Sequence, residues 1–189
     1  MSGNNNIVSF ETEQLILVDN EDNVVGYKSK AECHDNEGIL HRAFSLFIFN
    51  DKQEVIMQKR AADKRLWPLI WSNSCCSHPR KGETYEYATT RRLKEELGLE
   101  AELQFLYKFQ YHARWKDIGS ENELCSVYIG KSSDLPTVND TEIADWKWIS
   151  QDDLNRDLEN NPDSYSPWFK MEWKEIQNKY WDRVESLYS

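Results

Sequence analysis

The chain has 189 residues and a net charge of −10, from 23 lysines and arginines against 33 aspartates and glutamates. This acidity argues against a nonspecific nucleic-acid or anionic-membrane binder, because such binding requires a basic footprint. Aromatic residues make up 13% of the chain, which is too much apolar side chain for a disordered protein. We therefore expect one folded domain over residues 9–189, preceded by a flexible tail over residues 1–8.

The sequence contains no signal for a membrane or for secretion. Its longest apolar runs, residues 15–18 and 44–49, are far shorter than the roughly 20 residues that span a bilayer. Four cysteines, two of them adjacent at Cys75 and Cys76, do not form the pattern of a disulfide framework. We expect a cytoplasmic monomer that acts on a small molecule and binds neither nucleic acid nor a membrane.

Short apolar runs separated by turn residues predict a β-sheet. Residues 14–19 and 24–27 flank the polar turn 20–23, which predicts a hairpin. The other predicted strands cover residues 42–50, 54–58, 103–111, 123–129 and 145–149. Because helical segments interleave with these strands, the pattern predicts an α/β (α+β) fold with a mixed sheet.

Three helices are predicted from their start signals and periodicity. The first covers residues 84–97, with Thr84 as its N-cap and Gly98 as a left-handed C-cap. The second begins at Ser150, and the third begins at Ser166-Pro167 with the serine as N-cap. The third helix carries an apolar stripe that is typical of core packing: Phe169, Trp173, Ile176, Tyr180, Val184 and Leu187.

Chemistry-bearing residues are concentrated in a few segments. Glu121 and Glu123 share one face of a predicted strand, and Cys76 and His78 have the same spacing. Cysteine, histidine and two carboxylates can form a metal or acid–base site. The alternative is surface carboxylates and structurally satisfied histidines, since the spacing contains neither CxxC nor HExxH. The histidines that lie near other polar or reactive residues are His34, His41 and His78.

One face of the first predicted helix carries Arg92, Glu95 and Glu96 at i, i+3 and i+4. The spacing fits an ordinary solvated face with an ion pair. It also fits a Mg²⁺ site, because Mg²⁺ favours one or two carboxylates together with substrate phosphates. Basic residues at Lys30, 59–60 and 64–65 can serve solubility or hold a diphosphate.

The segment from Ser77 to Leu99, with Glu83 and the run Arg-Arg-Leu-Lys-Glu-Glu-Leu-Gly-Leu, resembles a degenerate Nudix box. Ser77 replaces the box glycine and Arg92 replaces a box glutamate, so a Nudix hydrolase acting on a nucleoside diphosphate derivative would lack one metal carboxylate. The same departures match the type I isopentenyl-diphosphate isomerases, a non-hydrolytic branch of the Nudix fold. Further segments look like motifs of that family: residues 40–45, 71–79, 121–123 and 166–169.

The resemblance runs from about Lys30 to Phe169 and implies a Nudix-like α/β/α sandwich. It implies interconversion of isopentenyl and dimethylallyl diphosphate by proton transfer through a carbocation. By similarity, Cys76 and Glu123 transfer the protons, Tyr111 is hydrogen-bonded near Glu123, and Trp168 faces the carbocation.

The resemblance also implies two metal sites and a set of phosphate-binding cations. Glu96 and the carbonyl of Cys76 match the ligands of Mg²⁺. A divalent site for Mn²⁺ or Zn²⁺ would use His34, His41, His78, Glu121 and Glu123. The diphosphate would be bound by Lys30, Arg60, Lys64 and Arg92. The remaining alternative is a non-catalytic module in which the histidines form a structural metal site.

Overall fold

The computed structural model describes residues 5–189 as a mixed β-sheet with helices on both sides. Its strands are β1 (Gln14–Val18), β2 (Val24–Ser29), β3 (His41–Phe49), β4 (Val55–Arg60), β5 (Trp71–Ser72), β6 (Cys75–Ser77), β7 (Leu103–Trp115), β8 (Gly119–Lys131) and β9 (Ile143–Ile149). Its helices are α1 (Lys30–His34), α2 (Tyr85–Leu97), α3 (Gln151–Asn160), α4 (Pro167–Lys179) and α5 (Trp181–Glu185), with 3₁₀ turns at Pro162–Ser164 and Ser186–Tyr188. Among the described residues, none of these helices has the length and hydropathy needed to cross a membrane.

Strand β3 organises the sheet. It runs parallel to β8 along its whole length, from His41 opposite Glu123 to Phe49 opposite Lys131. Its pairings with β1, β4 and β6 are antiparallel. The predicted mixed sheet is therefore confirmed, and the parallel register brings the start of β3 beside the middle of β8.

The two faces of β3 contribute to two apolar layers, because successive side chains of a strand point to opposite faces. One layer packs against α2 and contains Phe44, Leu46, Ile48, Leu93 and Leu97. The other packs against α4 and contains Ala43, Phe47, Phe49, Phe169 and Trp173. Helices thus cover both faces of the sheet, which confirms the predicted sandwich.

Helix α2 begins and ends where the sequence predicts. The hydroxyl of Thr84 accepts a hydrogen bond from the backbone N–H of Tyr87 at 3.2 Å. Gly98 has φ of +66°, and its N–H donates to the carbonyl of Lys94. A Cβ at Gly98 would lie 3.0 Å from the carbonyl oxygen of Thr137, so both the conformation and the space favour glycine.

The third predicted helix differs from expectation at both ends. Ser166 occupies the N-cap position, but its hydroxyl bonds to the hydroxyl of Ser72 at 3.0 Å and caps no backbone N–H. The helix also does not run through to Leu187, because Tyr180 leaves the helical conformation with φ of −130°. This break lets Trp181, at the start of α5, pack edge-on against Phe49 and Trp173.

The expected tail lies partly outside the described residues, which begin at residue 5. The carbonyl of Asn6 accepts a hydrogen bond from the side-chain amide of Asn139 at 2.8 Å. The carbonyl of Val8 accepts from Arg80 at 2.9 Å and from Arg92 at 3.0 Å. The flexibility of this segment stays a prediction.

Candidate active site and metal centre

Three imidazoles and two carboxylates converge at the N-terminal end of β3. One ligand atom from each of the five side chains lies within 4.8 Å of all the others: His34, His41, His78, Glu121 and Glu123. The pairing of β3 with β8 supplies His41 and Glu123, α1 ends at His34, and His78 follows β6. The start of β8 lies so close to the end of α1 that a Cβ at Gly119 would be 2.2 Å from the carbonyl oxygen of His34.

The backbone fixes which ring nitrogens of the histidines face the cluster. Nδ1 of His34 lies 2.8 Å from the carbonyl oxygen of Lys30, and Nδ1 of His41 lies 2.6 Å from that of Ile39. A carbonyl oxygen only accepts, so each Nδ1 donates its proton and each neutral ring points an Nε2 lone pair inward.

Two inward-facing buried atoms have no hydrogen-bond partner among the described residues: Nε2 of His41 and Oε2 of Glu121. Nε2 of His34 does lie 2.8 Å from Oε2 of Glu121, but the contact lacks hydrogen-bond geometry. Lone pairs that face one another without a donor between them are satisfied by a cation. The donor set therefore fits a divalent ion, and five mixed nitrogen and oxygen ligands differ from the four-coordinate pattern of structural zinc.

Burial and mutual charge shift the pKa values in this cluster in different directions. Burial lowers the pKa of His34, but the charge of Glu121 and its contact with the ring, the charge of Glu123 and the carbonyl of Lys30 together raise it more, so the net shift is upward. Burial also lowers the pKa of His78, and the neighbouring His41 and His34 lower it further. Burial raises the pKa of Glu123, but the contact with His41, the charge of that ring and the contacts with Glu121 and Tyr111 together lower it more, so the net shift is downward.

A cavity of about 460 Å³ opens beside the cluster. Cys76, His34, His78 and Glu121 lie on its wall. The wall also includes all four predicted phosphate-binding cations, which are Lys30, Arg60, Lys64 and Arg92. Burial and the nearby charge of Lys64 lower the pKa of Lys30. Buried and half-buried cations beside the candidate metal ligands form a suitable pocket for a phosphate-bearing molecule.

The two predicted proton-transfer residues have opposite resting states. Burial raises the pKa of Cys76 to about 12, so the thiol keeps its proton at neutral pH. Glu123 is a carboxylate, and its Oε2 accepts a hydrogen bond from the hydroxyl of Tyr111 at 2.6 Å. Burial raises the pKa of Tyr111 well above its usual range, so this hydroxyl remains a donor.

Trp168 lies at the first turn of α4 and is buried behind Arg60. The guanidinium carbon of Arg60 is 5.4 Å from the ring centroid of Trp168, and its Nη1 is 4.0 Å from the sulfur of Cys76. The indole N–H donates to the hydroxyl of Ser72 at 3.0 Å. The ring centroid of Tyr111, whose hydroxyl donates to Glu123, lies 6.1 Å from that of Trp168.

Comparison with known proteins identifies the family. The model of the NUDIX domain matches residues 39–169. Isopentenyl-diphosphate Delta-isomerase 1 of Photorhabdus laumondii is 45% identical over 174 residues, which cover 91% of this chain and 99% of that protein. The isopentenyl-diphosphate Delta-isomerase of Serratia proteamaculans is 39% identical, covering 87% of this chain and 91% of that protein. The chain belongs to the isopentenyl-diphosphate Delta-isomerase family.

Solved structures support the fold of this isomerase family member. A protein of Deinococcus radiodurans superimposes with a TM-score of 0.64 at 24% identity, covering 79% of this chain and 90% of that one. A MutT protein from Methanosarcina mazei has a TM-score of 0.62 at 15% identity, covering 74% and 94%. At these identities the likeness concerns the Nudix fold alone.

Glu96, the predicted Mg²⁺ ligand of this family member, is buried and already paired. Its Oε1 forms a short contact with Arg92, and its Oε2 accepts from the amide of Gln58 at 3.3 Å. Burial and the charge of Glu96 raise the pKa of the neighbouring Cys75 thiol. Glu96 therefore lies close to Cys75. The next residue, Cys76, has the carbonyl that is predicted to be the second Mg²⁺ ligand.

Several residues of the cavity wall were not predicted from the sequence. The N-terminal residues Ile7, Ser9 and Glu11 line it, and so does Glu142. Nζ of Lys30 donates to the hydroxyl of Ser9 at 2.5 Å. No local signal marks these residues, because each lies in a polar segment that resembles a solvated tail or loop.

We expect the wild-type isomerase to retain a metal ion on purification and the His41→Ala variant to lose it. His41 is fully buried, and its Nε2 has no protein donor or acceptor within the described residues. Loss of an outer hydrogen-bond partner of a ligand already weakens metal binding roughly 10–100-fold, and loss of a ligand costs more. Inductively coupled plasma mass spectrometry gives the ion content. His112→Ala is the control, since His112 is exposed and bonds to the carbonyl of Glu37; equal ion content in both variants would refute the ligand set.

Proposed function

We propose that the protein interconverts isopentenyl diphosphate and dimethylallyl diphosphate, within a single domain over residues 9–189. The observation that carries this proposal is that the thiol of Cys76 shares one cavity wall with four buried or half-buried cations and with members of the cluster that contains Glu123. A family match over nearly the whole chain supports it. We further propose that the enzyme acts as a cytoplasmic monomer.

The reaction moves a proton between two carbons of an unactivated alkene. A donor must protonate the double bond, and an acceptor must take a proton from the resulting tertiary carbocation before water captures it. The protonated thiol of Cys76 and the carboxylate of Glu123 supply such a pair. The hydroxyl of Tyr111 donates to Glu123 and holds the orientation of that carboxylate.

We also propose two metal ions. Mn²⁺ or Zn²⁺ would bind to the His/Glu cluster, and Mg²⁺ would bind to Glu96 and the carbonyl of Cys76. When bound, the first ion supplies charge that fixes Glu123, and Mg²⁺ supplies charge that neutralises the diphosphate. The cations Lys30, Arg60, Lys64 and Arg92 anchor the phosphate oxygens and thereby place the alkene between Cys76 and Glu123.

Hydrolysis is disfavoured by the surroundings of Arg92. This guanidinium replaces a carboxylate of the hydrolase box and contacts Glu95 at 3.2 Å as well as Glu96. The metal cluster of the hydrolase box therefore lacks one carboxylate here, while Glu96 remains as the ligand proposed for Mg²⁺.

The test is an assay with labelled isopentenyl diphosphate, with and without a chelator. We expect conversion to dimethylallyl diphosphate that stops on chelation, with negligible phosphate release from this substrate or from nucleoside diphosphate sugars. Metal-dependent phosphate release from a nucleotide without any isomerisation would instead indicate a Nudix hydrolase. Absence of turnover, together with unfolding on metal removal, would indicate a non-catalytic module with a structural metal site.

Substitution of Trp168 tests the cation-stabilising role proposed for its ring. A cation over an indole face gains roughly 0.5–2 kcal/mol, and each ~1.4 kcal/mol is about tenfold in rate. Trp168→Phe should keep part of kcat and Trp168→Leu much less, because the carbocation exists only along the reaction path. Both variants lose the hydrogen bond to Ser72, so melting temperatures measured beside kcat separate packing from catalysis. Equal kcat values for the two variants would exclude the role.

A further inference from the structure

One carboxylate on the cavity wall has no role in the proposed reaction. Glu142 immediately precedes β9 and is only 5% exposed. Its backbone N–H donates to the carbonyl of Asn139 at 3.0 Å, and its carbonyl accepts from the N–H of Ala61 at 3.0 Å. Asn139 is in turn bonded to the carbonyl of Glu96 at 2.8 Å. The backbone of Glu142 is thus fixed between the end of α2 and the loop that follows β4.

The side chain of Glu142 joins two phosphate-binding cations from different parts of the chain. Its Oε2 forms a short ion pair with Nζ of Lys64, in the loop after β4, and lies 3.2 Å from Nη2 of Arg92, in α2. Burial raises the pKa of Glu142, but the charges of Lys64, Arg92 and Lys30 and the contact with Lys64 together lower it more, so the group is ionised.

The cavity needs such an anion because its cations repel one another. Lys64 lowers the pKa of Lys30 by its charge, and Glu142 is among the groups that oppose this effect. Without a carboxylate between them, Lys64 and Arg92 would separate, or Lys64 would be partly neutralised, in the pocket that must receive phosphate oxygens.

The contact also leaves donors available to a ligand. An ammonium group has three N–H donors, and Glu142 engages Lys64 through a single oxygen, which leaves donors of Lys64 for a ligand. The Nη atoms of Arg92 already contact the carbonyl of Val8 and the carboxylates of Glu95, Glu96 and Glu142, and its buried Nε has no hydrogen-bond partner among residues 5–189. Glu142 can therefore hold Lys64 beside the fixed, charged Arg92 while Lys64 binds phosphate, and its anchored backbone keeps it in place.

We propose that Glu142 is a positioning residue for the diphosphate group, holding Lys64 and Arg92 in their binding arrangement before substrate enters. The inference rests on the proposed function for the identity of the substrate. It predicts tighter diphosphate binding with Glu142 than without it, although Glu142 carries the same sign of charge as the ligand. The opposite idea, that Glu142 competes with the diphosphate for the cations, predicts tighter binding once its charge is removed.

The test compares Glu142→Gln with Asp22→Asn. Asp22 also joins an arginine and a lysine, Arg42 and Lys108, and it lies in the β1–β2 turn away from the cavity. Titration calorimetry with inorganic diphosphate and Mg²⁺ measures binding without turnover, and steady-state kinetics with isopentenyl diphosphate separates KM from kcat. Melting temperatures of both variants control for the loss of a bridging carboxylate.

We expect Glu142→Gln to weaken inorganic diphosphate binding and raise KM by about tenfold or more, with kcat changed less than about threefold. Glu142→Asp should recover part of the affinity, and Asp22→Asn should match the wild type. Unchanged or tighter binding in Glu142→Gln would overturn the proposal, and so would a fall in kcat at constant KM. A wild type that binds inorganic diphosphate but does not turn over isopentenyl diphosphate would contradict the proposed function. The calorimetric comparison of the variants would still test the role of Glu142 in diphosphate binding.

Discussion

Replacing Cys76 by alanine should lower kcat by at least about a hundredfold, the range in which general acid–base groups contribute. The sulfur of Cys76 lies on the cavity wall, 4.0 Å from Nη1 of Arg60 and 4.0 Å from the hydroxyl of Ser72. Alanine removes the proton that the raised pKa keeps on this sulfur. The small change in volume should leave the melting temperature near that of the wild type.

Cys75→Ala is the matched control for this experiment. Cys75 is fully buried in the layer that packs against α2, because adjacent residues of β6 point to opposite faces of the sheet. Its loss should reduce stability by about 1 kcal/mol while the rate per folded molecule is kept. Measurement of kcat on the folded fraction decides the matter: equal losses in both variants, or none in either, would show that Cys76 is not the proton-transfer residue.

Replacing Glu172 by glutamine should stabilise the protein at pH 8 by an amount on the order of several kcal/mol and change little near pH 4.5. Glu172 is fully buried in α4. Its Oε1 accepts a weak hydrogen bond from the thiol of Cys125 at 3.6 Å, and its Oε2 has no partner in the described part of the chain. Burial raises the pKa of Glu172 to about 8.

The direction of this pH effect on stability follows from proton binding in the folded and unfolded states. Between the ordinary pKa of about 4.5 and the folded pKa of about 8, the folded protein retains a proton on Glu172 that the unfolded chain has released. The free energy of unfolding must therefore fall as pH rises through this window. Glutamine is uncharged at every pH and avoids this loss.

Urea unfolding of chelator-treated protein at several pH values between 4.5 and 8 provides the measurement. Glu175→Gln is the control, since Glu175 lies on the same helix, is partly exposed and pairs with Lys179. Glu175→Gln should keep the wild-type pH dependence, whereas Glu172→Gln should flatten it. Parallel curves for wild type and Glu172→Gln would show that the buried carboxyl does not titrate in this window.

Much of the fold follows from local patterns in the sequence. Alternating apolar runs predict the longer strands, and the caps at Thr84 and Gly98 predict α2 to within a residue. Short elements are too short to show a periodic pattern of apolar residues, since α1 has five residues and β5 has two. The capping box between Ser29 and Glu32 marks the start of α1, but it precedes too few residues to show an apolar stripe.

The candidate site was predicted through resemblance far more than through spacing. The parallel pairing that places His41 beside Glu123 joins residues far apart in the chain, and no local pattern encodes it. Glu142 resembles a solvated loop residue in the sequence. Glu172 lies at stripe positions with Phe169 and Trp173, yet its charge conceals its burial. Both carboxylates are recognisable only once tertiary packing shows what surrounds them.

The parallel pairing of β3 with β8 also sets when the metal centre can form. His34, His41 and His78 are synthesised before Glu121 and Glu123, and α2 and β7 must emerge between His78 and Glu121. Contacts between distant segments form late, since closing a long loop costs chain entropy before any pairing compensates it. On the ribosome, a nascent chain that ends before β8 exposes three histidines without their carboxylates. The complete ligand set proposed for the ion would therefore form only after β8 has been synthesised and has paired with β3.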